Sequence, residues 1–459
     1  MNGTSTAAMS SATTTITTTS SSNTTTTKVI DKIAAYHKRS TNQSSPKLPA
    51  LSLEFFPPKT EEGVVVRLFH EMLYCQCFAV VIDVDDIHSF LFLTKTFRHL
   101  YIPRTFYYQN LYERIQRMKN VIGDDTLLFC DITWGAGGST SQLSMDIAVH
   151  MQQQLNITTN LHMTCTNMIA PTSTDDSTAT EVKPIEPKMV IQNSIQTAVQ
   201  HDVINIFALR GDPPVNADGS HSTTFVPITD GFTCALDLVQ FIRHPDTKLE
   251  GITDNNTQIG VGVAGYPEGH PVAITVVDDI ATMTEGEKAR SSYDYDTQTT
   301  YTCRDADYEK ELIYLKEKVD AGAEFIITQM FFDTAVYIQF VHDCRTMGIA
   351  CPILPGIMCI NNAPGFLKMT KFCKTRVPAS LYKSMTETEM TPEELKRFGI
   401  QYGVEQCHMM MNTTKSLSAA LYEPPPVLHF YTLNLEKVVI GIIQELGYPL
   451  NVAEDNVKE

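Results

Sequence analysis

The residues best suited to chemistry in this sequence follow short apolar runs. Residues 203–209 form one such run, which ends in Arg210, Gly211 and Asp212, so a cation and an anion flank a flexible residue. A run of this length suits one buried strand and is too short for a helix. Charges at a strand end can bind a ligand, because ligands of α/β folds bind beyond the carboxyl ends of the strands. The alternative is an ordinary strand followed by a polar turn.

A carboxylate lies inside another apolar run. Glu54 belongs to residues 51–56, which read as a strand closed by two prolines. An unpaired buried charge is costly, so a glutamate at this position is paired, protonated or functional. A structural glutamate with a fixed partner is the alternative to a functional one.

Apolar runs of strand length recur along the chain, and most of them precede a helical pattern. We place eight strands near residues 51, 127, 160, 203, 259, 324, 351 and 428. Such alternation predicts a parallel sheet, and eight repeats fit a closed (β/α)₈ TIM barrel of the α/β class. The glycine-rich turn at 135–138 does not match G-x-G-x-x-G, so a Rossmann fold is the weaker choice.

Polar residues at the carboxyl ends of barrel strands form the default site of this fold. One such residue means little, but nine at the ends of seven strands predict a concave polar site. They are Glu54, Thr133, His162, Arg210, Asp212, Tyr266, His270, Gln329 and Tyr431.

Composition limits the partners of this barrel. The formal net charge of −17 argues against a general nucleic-acid binder, although a local basic pocket can still bind an anionic small molecule. The eleven cysteines show no C-x-x-C spacing, which favours a reduced, cytoplasmic setting. We see no secretory signal and no apolar run long enough to span a bilayer, so we expect no membrane partner. We predict no metal site.

The predicted barrel covers residues 48–450, between a disordered Ser/Thr-rich tail and lead-in at 1–47 and a short tail at 451–459. Residues 171–187 and 272–306 read as polar surface insertions. Residues 66–109 are an anomalous insertion, rich in Phe, Tyr, Leu and Ile without a helical or strand period, and an amphipathic helix follows at 110–119. A translated intron and a lineage-specific loop at the catalytic mouth both remain open as explanations.

Several long motifs in this chain resemble methylenetetrahydrofolate reductases, specifically their flavin-binding catalytic barrel. The resemblance covers about residues 48–65 and 110–448. The matching segments are 53–60 (LEFFPPKT), 131–140 (DITWGAGGST), 162–168 (HMTCTNM), 208–214 (ALRGDPP), 263–271 (VAGYPEGHP), 315–323 (LKEKVDAGA), 326–333 (IITQMFFD) and 428–434 (LHFYTLN).

The resemblance implies an enzyme of one-carbon and methionine metabolism that reduces 5,10-methylenetetrahydrofolate to 5-methyltetrahydrofolate. In that family FAD is bound without a Rossmann motif, NAD(P)H reduces it and leaves, and folate takes its place. A homo-oligomer is expected. The implied flavin contacts are Thr133, His162, Arg210, Asp212, Ala264, Tyr266, His270, Glu311 and Lys318, and the implied folate contacts are Glu54, Gln329 and Tyr431.

The resemblance gives Glu54 the role of general acid. The folate imidazolidine ring must open to an iminium cation, which requires protonation of the departing N10. A carboxyl group that keeps its proton near neutral pH needs burial, and an apolar strand provides it. Asp212 matches the carboxylate beside the flavin, where an anion would stabilise the developing iminium. Arg210 and Lys318 suit the flavin diphosphate.

Four positions depart from the family pattern. Cys234 stands where the family usually has a flavin-contacting tyrosine, and Glu311 replaces an aspartate. Leu435 stands where several relatives carry a folate-binding arginine, and Cys359 replaces a common proline. Little sequence follows the eighth strand and its helix, where eukaryotic relatives continue into a regulatory domain that binds S-adenosylmethionine, so either this regulation is absent or the chain is incomplete.

Two other functions remain open. A flavin barrel of the proline dehydrogenase type would share the fold but should lack the paired motifs at 53–58 and 209–214. A non-catalytic relative is the second alternative, and the joint retention of Glu54, Asp212 and Gln329 speaks against it.

Overall fold

The computed structural model describes residues 26–40, 48–57, 104–134, 141–165, 187–211, 231–249, 258–413 and 422–451. Within these ranges the strands are β1 Ala50–Phe55, β2 Leu127–Ile132, β3 Thr159–Thr164, β4 Asn205–Leu209, β5 Gly260–Gly265, β6 Ile274–Val277, β7 Ser292–Asp294, β8 Thr299–Cys303, β9 Phe325–Thr328, β10 Ile353–Leu354, β11 Gly356–Met358 and β12 Val427–Tyr431.

The helices of the same ranges alternate with the strands. They are α1 Val29–Ser40, α2 Arg104–Ile122, α3 Ser141–Gln153, α4 Pro187–Gln200, α5 Ala235–Arg243, α6 Glu285–Arg290, α7 Asp305–Asp320, α8 Thr334–Thr346, α9 Ala363–Cys373, α10 Ala379–Thr386, α11 Pro392–Asn412 and α12 Lys437–Glu445. None of these helices is both long and apolar enough to cross a membrane.

The large sheet is a closed ring of parallel strands. Its order is β10-β9-β5-β4-β3-β2-β1-β12-β11, and every neighbouring pair is parallel. Only Pro355 separates β10 from β11, so the two ends of this order belong to one strand that a proline interrupts. The ring therefore has eight strands, and the predicted (β/α)₈ TIM barrel is confirmed.

The strand sequences explain why this sheet is buried on both faces. Every residue of β1, β2 and β3 is buried, as expected for parallel strands that lie between the barrel interior and a layer of helices. Apolar helix faces complete the outer core. In α4, for example, Ile191, Ile195 and Ala198 recur at helical spacing and are buried.

Helix α1 closes the amino-terminal end of the barrel. Its residues Val29, Ile33 and Tyr36 pack with Phe129 and Phe325 from the barrel interior. The prediction that residues 1–47 form a disordered lead-in is wrong for this helix, because an apolar stripe at i, i+4 and i+7 gives α1 a face to bury. Residues 1–25 and 41–47 lie outside the described residues.

Polar bonds fix α1 at the start of two strands. The backbone N–H of Val29 donates to Asn205 Oδ1 over 2.8 Å. Lys28 forms an ion pair with Glu324, just before β9. The first contact satisfies a backbone N–H at the helix start that has no partner within the helix.

The predicted insertion at 272–306 has secondary structure of its own. Strands β6, β8 and β7 form an antiparallel sheet in that order. A capping box between Thr284 and Glu287 starts α6. The Tyr295 ring stacks on Tyr382 of α10 with centroids 3.7 Å apart, which ties the insertion to the barrel helices.

The other predicted insertions fall mostly outside the described residues. Of residues 66–109, only 104–109 are described, and they form the first part of α2, which thus begins six residues before the predicted start at Asn110. Of residues 171–187, only Pro187 is described, at the start of α4.

The strand interrupted by Pro355 provides a test of barrel closure. A Cβ at Gly356 would lie 2.2 Å from the carbonyl oxygen of Thr328 and 2.6 Å from the Tyr431 hydroxyl. We expect Gly356→Ala to lower the free energy of unfolding by roughly 1–3 kcal/mol, because neither the Thr328 backbone nor the Tyr431 hydroxyl bonded to it can move away freely. Urea denaturation measures this change.

Gly286→Ala is the matched control. A Cβ there, inside helix α6, meets the flexible end of Arg290 at 3.2 Å, and its other neighbours are the side-chain oxygens of Asp305 at 3.4 Å and Thr284 at 3.8 Å. Alanine favours a helix by roughly 0.8–1 kcal/mol over glycine, so this variant should be as stable as the parent or more stable. Equal effects of the two substitutions would contradict the assigned closure.

Candidate active site

The parallel register brings polar residues of neighbouring strands side by side at the carboxyl end of the barrel, here called the mouth. Glu54 of β1 is paired in register with Asp131 of β2 on one side and Tyr431 of β12 on the other. His162 of β3 follows on the far side of β2. The structure thus brings together Glu54, His162 and Tyr431, three of the predicted site residues.

Two carboxylates and two imidazoles form a buried network, which we call the carboxylate–histidine network: Glu54, Asp131, His162 and His429. His429 Nε2 lies 3.1 Å from Glu54 Oε2, and His162 Nε2 lies 3.1 Å from Asp131 Oδ1. His162 Nε2 is also 3.8 Å from Glu54 Oε2. No side chain of the network is more than 7% exposed.

A serine orients the His429 ring. Ser52 Oγ lies 2.9 Å from His429 Nδ1, and the two residues are paired in register on β1 and β12. If the Nε2–H of His429 donates to Glu54, then Nδ1 of the neutral ring accepts from the Ser52 hydroxyl. The ring is therefore held between a hydroxyl and the carboxyl group of the predicted general acid.

The charges of this network act on His162. Burial lowers the pKa of its imidazole, but the charge of Glu54 and the hydrogen bond and charge of Asp131 together raise it above the ordinary histidine value. Asp131 also accepts a hydrogen bond from Asn160, while its Oδ2 has no hydrogen-bond partner among the described residues and lies 3.7 Å from His429 Nδ1. The network can therefore hold protons close to Glu54.

The sequence analysis missed Ser52, Asp131 and His429. Each lies two positions before a predicted site residue, namely Glu54, Thr133 and Tyr431. Side chains two apart on a strand point to the same face, so these residues line the same interior one step below the strand ends. That spacing is the signal that could have found them.

A second set of residues, here called the basic pocket, lies where β5 meets α7: Arg210, His270, Glu311 and Lys318. Lys318 is buried, and its ammonium donates to the Ala264 carbonyl over 2.9 Å. It also lies 4.8 Å from the centre of the Tyr314 ring. A small pocket lined by Ala264, Tyr266, Glu311 and Lys318 opens beside it.

The charges of Arg210, Glu311 and Lys318 shift the pKa values of neighbouring groups, so these groups lie close together. Burial lowers the pKa of Lys318 to about 8, against the attraction of Glu311. Burial, Arg210 and Lys318 lower the pKa of His270 to about 4, so its ring is neutral at pH 7. Burial raises the pKa of Glu311, although Lys318 and Arg210 oppose that change. Two cations thus face one carboxyl group, which suits an anionic ligand.

The remaining predicted residues have individual roles. Thr133 follows β2, and its N–H donates to the Phe55 carbonyl over 3.0 Å. The Gln329 backbone N–H donates to the Gly265 carbonyl over 2.7 Å, and its side-chain oxygen accepts from the Met330 N–H.

Tyrosines lie between the network and the basic pocket. The Tyr431 hydroxyl donates to the Thr328 carbonyl over 2.7 Å. Burial, followed by the charges of Glu54 and Asp131 and of Tyr266, raises the pKa of Tyr431. Tyr266 itself packs edge-on against His270, with ring centroids 4.6 Å apart. Asp212, the predicted carboxylate of the flavin site, lies outside the described residues.

One of the family departures, Cys234, lies beside Tyr314 next to the basic pocket. Cys234 precedes α5 without capping it through its side chain. The Tyr314 hydroxyl accepts from the Leu236 N–H over 3.2 Å and is hydrogen-bonded to the Cys234 side chain. An aromatic ring therefore lies beside position 234, although it comes from α7.

No group of three or more His, Cys, Asp or Glu in the described ranges is arranged to hold a metal ion. The fold and the site define a (β/α)₈-barrel protein whose mouth combines a buried carboxylate–histidine network with a small pocket beside two cations.

Comparisons with known proteins identify the family. A family model described as methylenetetrahydrofolate reductase matches residues 100–447. A probable methylenetetrahydrofolate reductase (NADH) of Oryza sativa is 38% identical over 396 residues, which cover 86% of this chain and 48% of the relative. Methylenetetrahydrofolate reductase (NADH) 1 of Arabidopsis thaliana is 37% identical over 420 residues, covering 92% and 51%. The chain belongs to the methylenetetrahydrofolate reductase family.

The curated plant relatives are longer than this chain. The chain spans about half the length of the curated plant relatives it matches. A solved structure of a Clostridium thermocellum protein, described as binding two copies of 5-methyl-5,6,7,8-tetrahydrofolic acid, aligns with a TM-score of 0.44 at 9% identity over 91% of this chain and 99% of that chain. A TM-score this low does not extend the ligand of that protein to this chain.

The network predicts a measurable dependence of His162 on Asp131. We expect Asp131→Asn to lower the pKa of His162, because the substitution removes a charge and a charge-assisted hydrogen bond that favour the imidazolium. An NMR pH titration of the histidine side chains in isotope-labelled protein measures this pKa. Asp125→Asn, at a 95% exposed carboxylate, is the control and should leave His162 unchanged. An unchanged pKa in Asp131→Asn would contradict the network.

Proposed function

We propose that this chain reduces 5,10-methylenetetrahydrofolate to 5-methyltetrahydrofolate with FAD as cofactor and a nicotinamide dinucleotide as reductant. The observation that carries the proposal is Glu54, a buried carboxyl group at the mouth with two histidines against its Oε2, in a chain of this family. Proton delivery to a leaving amine requires such a group.

Three features of the structure fit FAD. Arg210 and Lys318 supply two cations for a diphosphate, and Glu311 supplies an acceptor for ribose hydroxyls. The buried indole Nε1 of Trp134, next to Thr133, has no hydrogen-bond partner among the described residues and could donate to a bound ring system. The pocket at Ala264 and Tyr266 adjoins these groups.

We assign the cofactor contacts to Thr133, His162, Arg210, Ala264, Tyr266, His270, Glu311 and Lys318, with Asp212 added from the family resemblance. Bound there, the flavin would carry hydride from the nicotinamide to the folate. Because His270 is neutral at pH 7, it can hydrogen-bond to the cofactor without adding charge.

Glu54 would act on the folate. A proton on its carboxyl group passes to N10 as the bond between N10 and the bridging carbon breaks, which leaves a carbon able to accept hydride. His429 Nε2 faces the same carboxyl oxygen at 3.1 Å and His162 Nε2 at 3.8 Å, so both can return a proton to Glu54 between turnovers. Gln329 and Tyr431 would contact the folate beside it.

The names of the relatives bear on the reductant and on the setting. The rice and Arabidopsis relatives are named for NADH, and a Caenorhabditis elegans relative, 26% identical, is named for NADPH. We propose NADH as the reductant, since the relatives named for NADH are more similar to this chain than the one named for NADPH. We also propose a reducing, cytoplasmic setting, because the nine cysteines of the described ranges are all free thiols. The family match supports the proposed place in one-carbon and methionine metabolism.

Glu54→Gln tests the acid role. Glutamine keeps the shape but cannot donate the proton, so we expect reoxidation of the reduced flavin by methylenetetrahydrofolate to slow by about 100-fold or more. Flavin reduction by NADH should change by no more than about threefold, because Glu54 acts on the folate. Stopped-flow absorbance measures the two half-reactions separately.

Glu285→Gln, at a 91% exposed carboxylate of α6, is the control and should match the parent in both half-reactions. If folate reoxidised the reduced flavin of Glu54→Gln as fast as that of the parent, Glu54 would not be the acid. A parent protein that binds FAD and is reduced by NADH but is never reoxidised by folate would favour the non-catalytic relative or another electron acceptor.

The basic pocket predicts how FAD affinity depends on pH. The pKa of Lys318 is lowered to about 8, so its ammonium is present below that pH and is lost as the pH rises through it. We therefore expect FAD to bind more weakly above about pH 8, which quenching of flavin fluorescence can follow. Lys318→Arg keeps its charge and should remove this dependence. An identical pH profile in both proteins would contradict the assignment.

A further inference from the structure

A second pocket lies at the opposite end of the barrel from the mouth. It has a volume of about 290 Å³ and lies between α1, the end of α2, the loop after α3 and the start of β2. Its polar lining comprises Thr27, Lys32, Lys119, Gln152, Asn156 and Thr158, with Asp124 at its edge. We call it the lower pocket. Leu127 and Leu128, which begin β2, supply apolar lining.

Lys32 brings a cation with unused hydrogen-bonding capacity to the lower pocket. Its ammonium donates to the Leu128 carbonyl over 3.0 Å, and no other hydrogen bond of this group is found among the described residues. An ammonium has three protons, so two remain to be satisfied. Burial lowers the pKa of Lys32, and the nearby charge of Lys119 acts in the same direction, while Asp124 opposes both.

Lys119 is the second cation of the lower pocket. Its ammonium donates to the Leu155 carbonyl over 2.8 Å and to the Asn156 carbonyl over 3.3 Å, and lies 3.3 Å from Asp124 Oδ1. These bonds fix it beside Lys32. Asp124 is 72% exposed, so it screens the two like charges only partly.

Gln152 has a fixed orientation that leaves a donor for the pocket. Its side-chain oxygen accepts from the Thr159 backbone N–H over 3.0 Å, which engages the acceptor end of the amide. The amide nitrogen then remains as the polar group available to a ligand. The lining thus combines two cations, an amide donor and one exposed carboxylate, in a protein with a net charge of −17.

We propose that the lower pocket binds a small phosphate monoester, with the phosphate between Lys32 and Gln152. Lysine binds phosphate as a point charge, and an anion would satisfy the unused ammonium protons of Lys32. The volume of about 290 Å³ is near the lower end of ligand pockets and exceeds the needs of a phosphate alone. Hydroxyl groups on the attached carbon skeleton can donate to Asp124.

Such a ligand would stabilise the packing of α1 against the barrel. It would contact Thr27 and Lys32 on α1 and its leading residues, and Gln152 and Thr158 on the barrel side. Val29 and Lys28 already bond to Asn205 and Glu324 at the same end. Binding should therefore raise the thermal stability of the protein and protect α1 from trypsin, which cleaves after its lysines and arginine.

The test titrates the full chain with inorganic phosphate and with glycerol 3-phosphate by calorimetry and thermal unfolding, with sodium chloride at matched ionic strength. We expect both phosphates to bind and to raise Tm, and glycerol 3-phosphate to bind more tightly. Lys32→Gln should weaken binding by about tenfold, since it removes a charge-assisted hydrogen bond. Lys38→Gln, an exposed position of α1, makes the same charge change and should match the parent.

Gln152→Glu separates binding from folding. Glutamate keeps an acceptor for the Thr159 N–H but replaces the amide donor with a negative charge, so the protein should fold and lose phosphate binding. Gln154→Glu, exposed at the turn after α3, is its control and should bind as the parent does. Lys318→Met should also retain phosphate binding, which distinguishes the lower pocket from the basic pocket at the mouth.

Three results would overturn the proposal. Sodium chloride could reproduce the whole effect of phosphate on Tm, Lys32→Gln and Lys38→Gln could weaken binding equally, or Gln152→Glu could bind phosphate like the parent. Loss of binding only in Lys318→Met would assign the phosphate to the mouth instead. None of these measurements depends on catalytic activity, so they test phosphate binding in the lower pocket independently of the proposed reaction.

Discussion

The burial of two carboxylates on adjacent strands is the constraint on which the site depends. Glu54 and Asp131 are paired in register on β1 and β2, and neither side chain is more than 6% exposed. Buried charges of like sign are unfavourable without compensation. His162 on β3 and His429 on β12 provide it, one from each flanking strand. Because β1 and β12 are the first and last strands of the ring in sequence, their pairing is what places His429 beside Glu54.

The two ends of the barrel have different tasks. At the mouth the strand ends carry acids, bases and cations that lie close to one another. At the other end α1 covers the aromatic interior, where Phe129 and Phe325 pack below the network. This apolar floor excludes water from beneath the carboxylates, which strengthens every charge interaction above it. The fold thus supports the chemistry of one end by closing the other.

The eight strands could be predicted from the sequence because buried parallel strands appear as short apolar runs. Glu54, His162 and Tyr431 could be named because they end such runs. His429 and Asp131 could not be named by that rule, since a residue inside an apolar run reads as core until its cross-strand partners are known. Helix α1 was hidden by the Ser/Thr-rich composition before it. The shifted pKa values of Lys318 and His270 depend on burial and on contacts between distant segments, which no local pattern contains.

The most direct test of the account is whether the purified 459-residue chain binds FAD and passes electrons from NADH to methylenetetrahydrofolate. The account predicts about one flavin per chain, bleaching of the flavin by NADH, and recovery of its absorbance on addition of the folate, with 5-methyltetrahydrofolate as the product. A folded chain, judged by circular dichroism, that binds no flavin, or a flavoprotein that folate does not reoxidise, would contradict it.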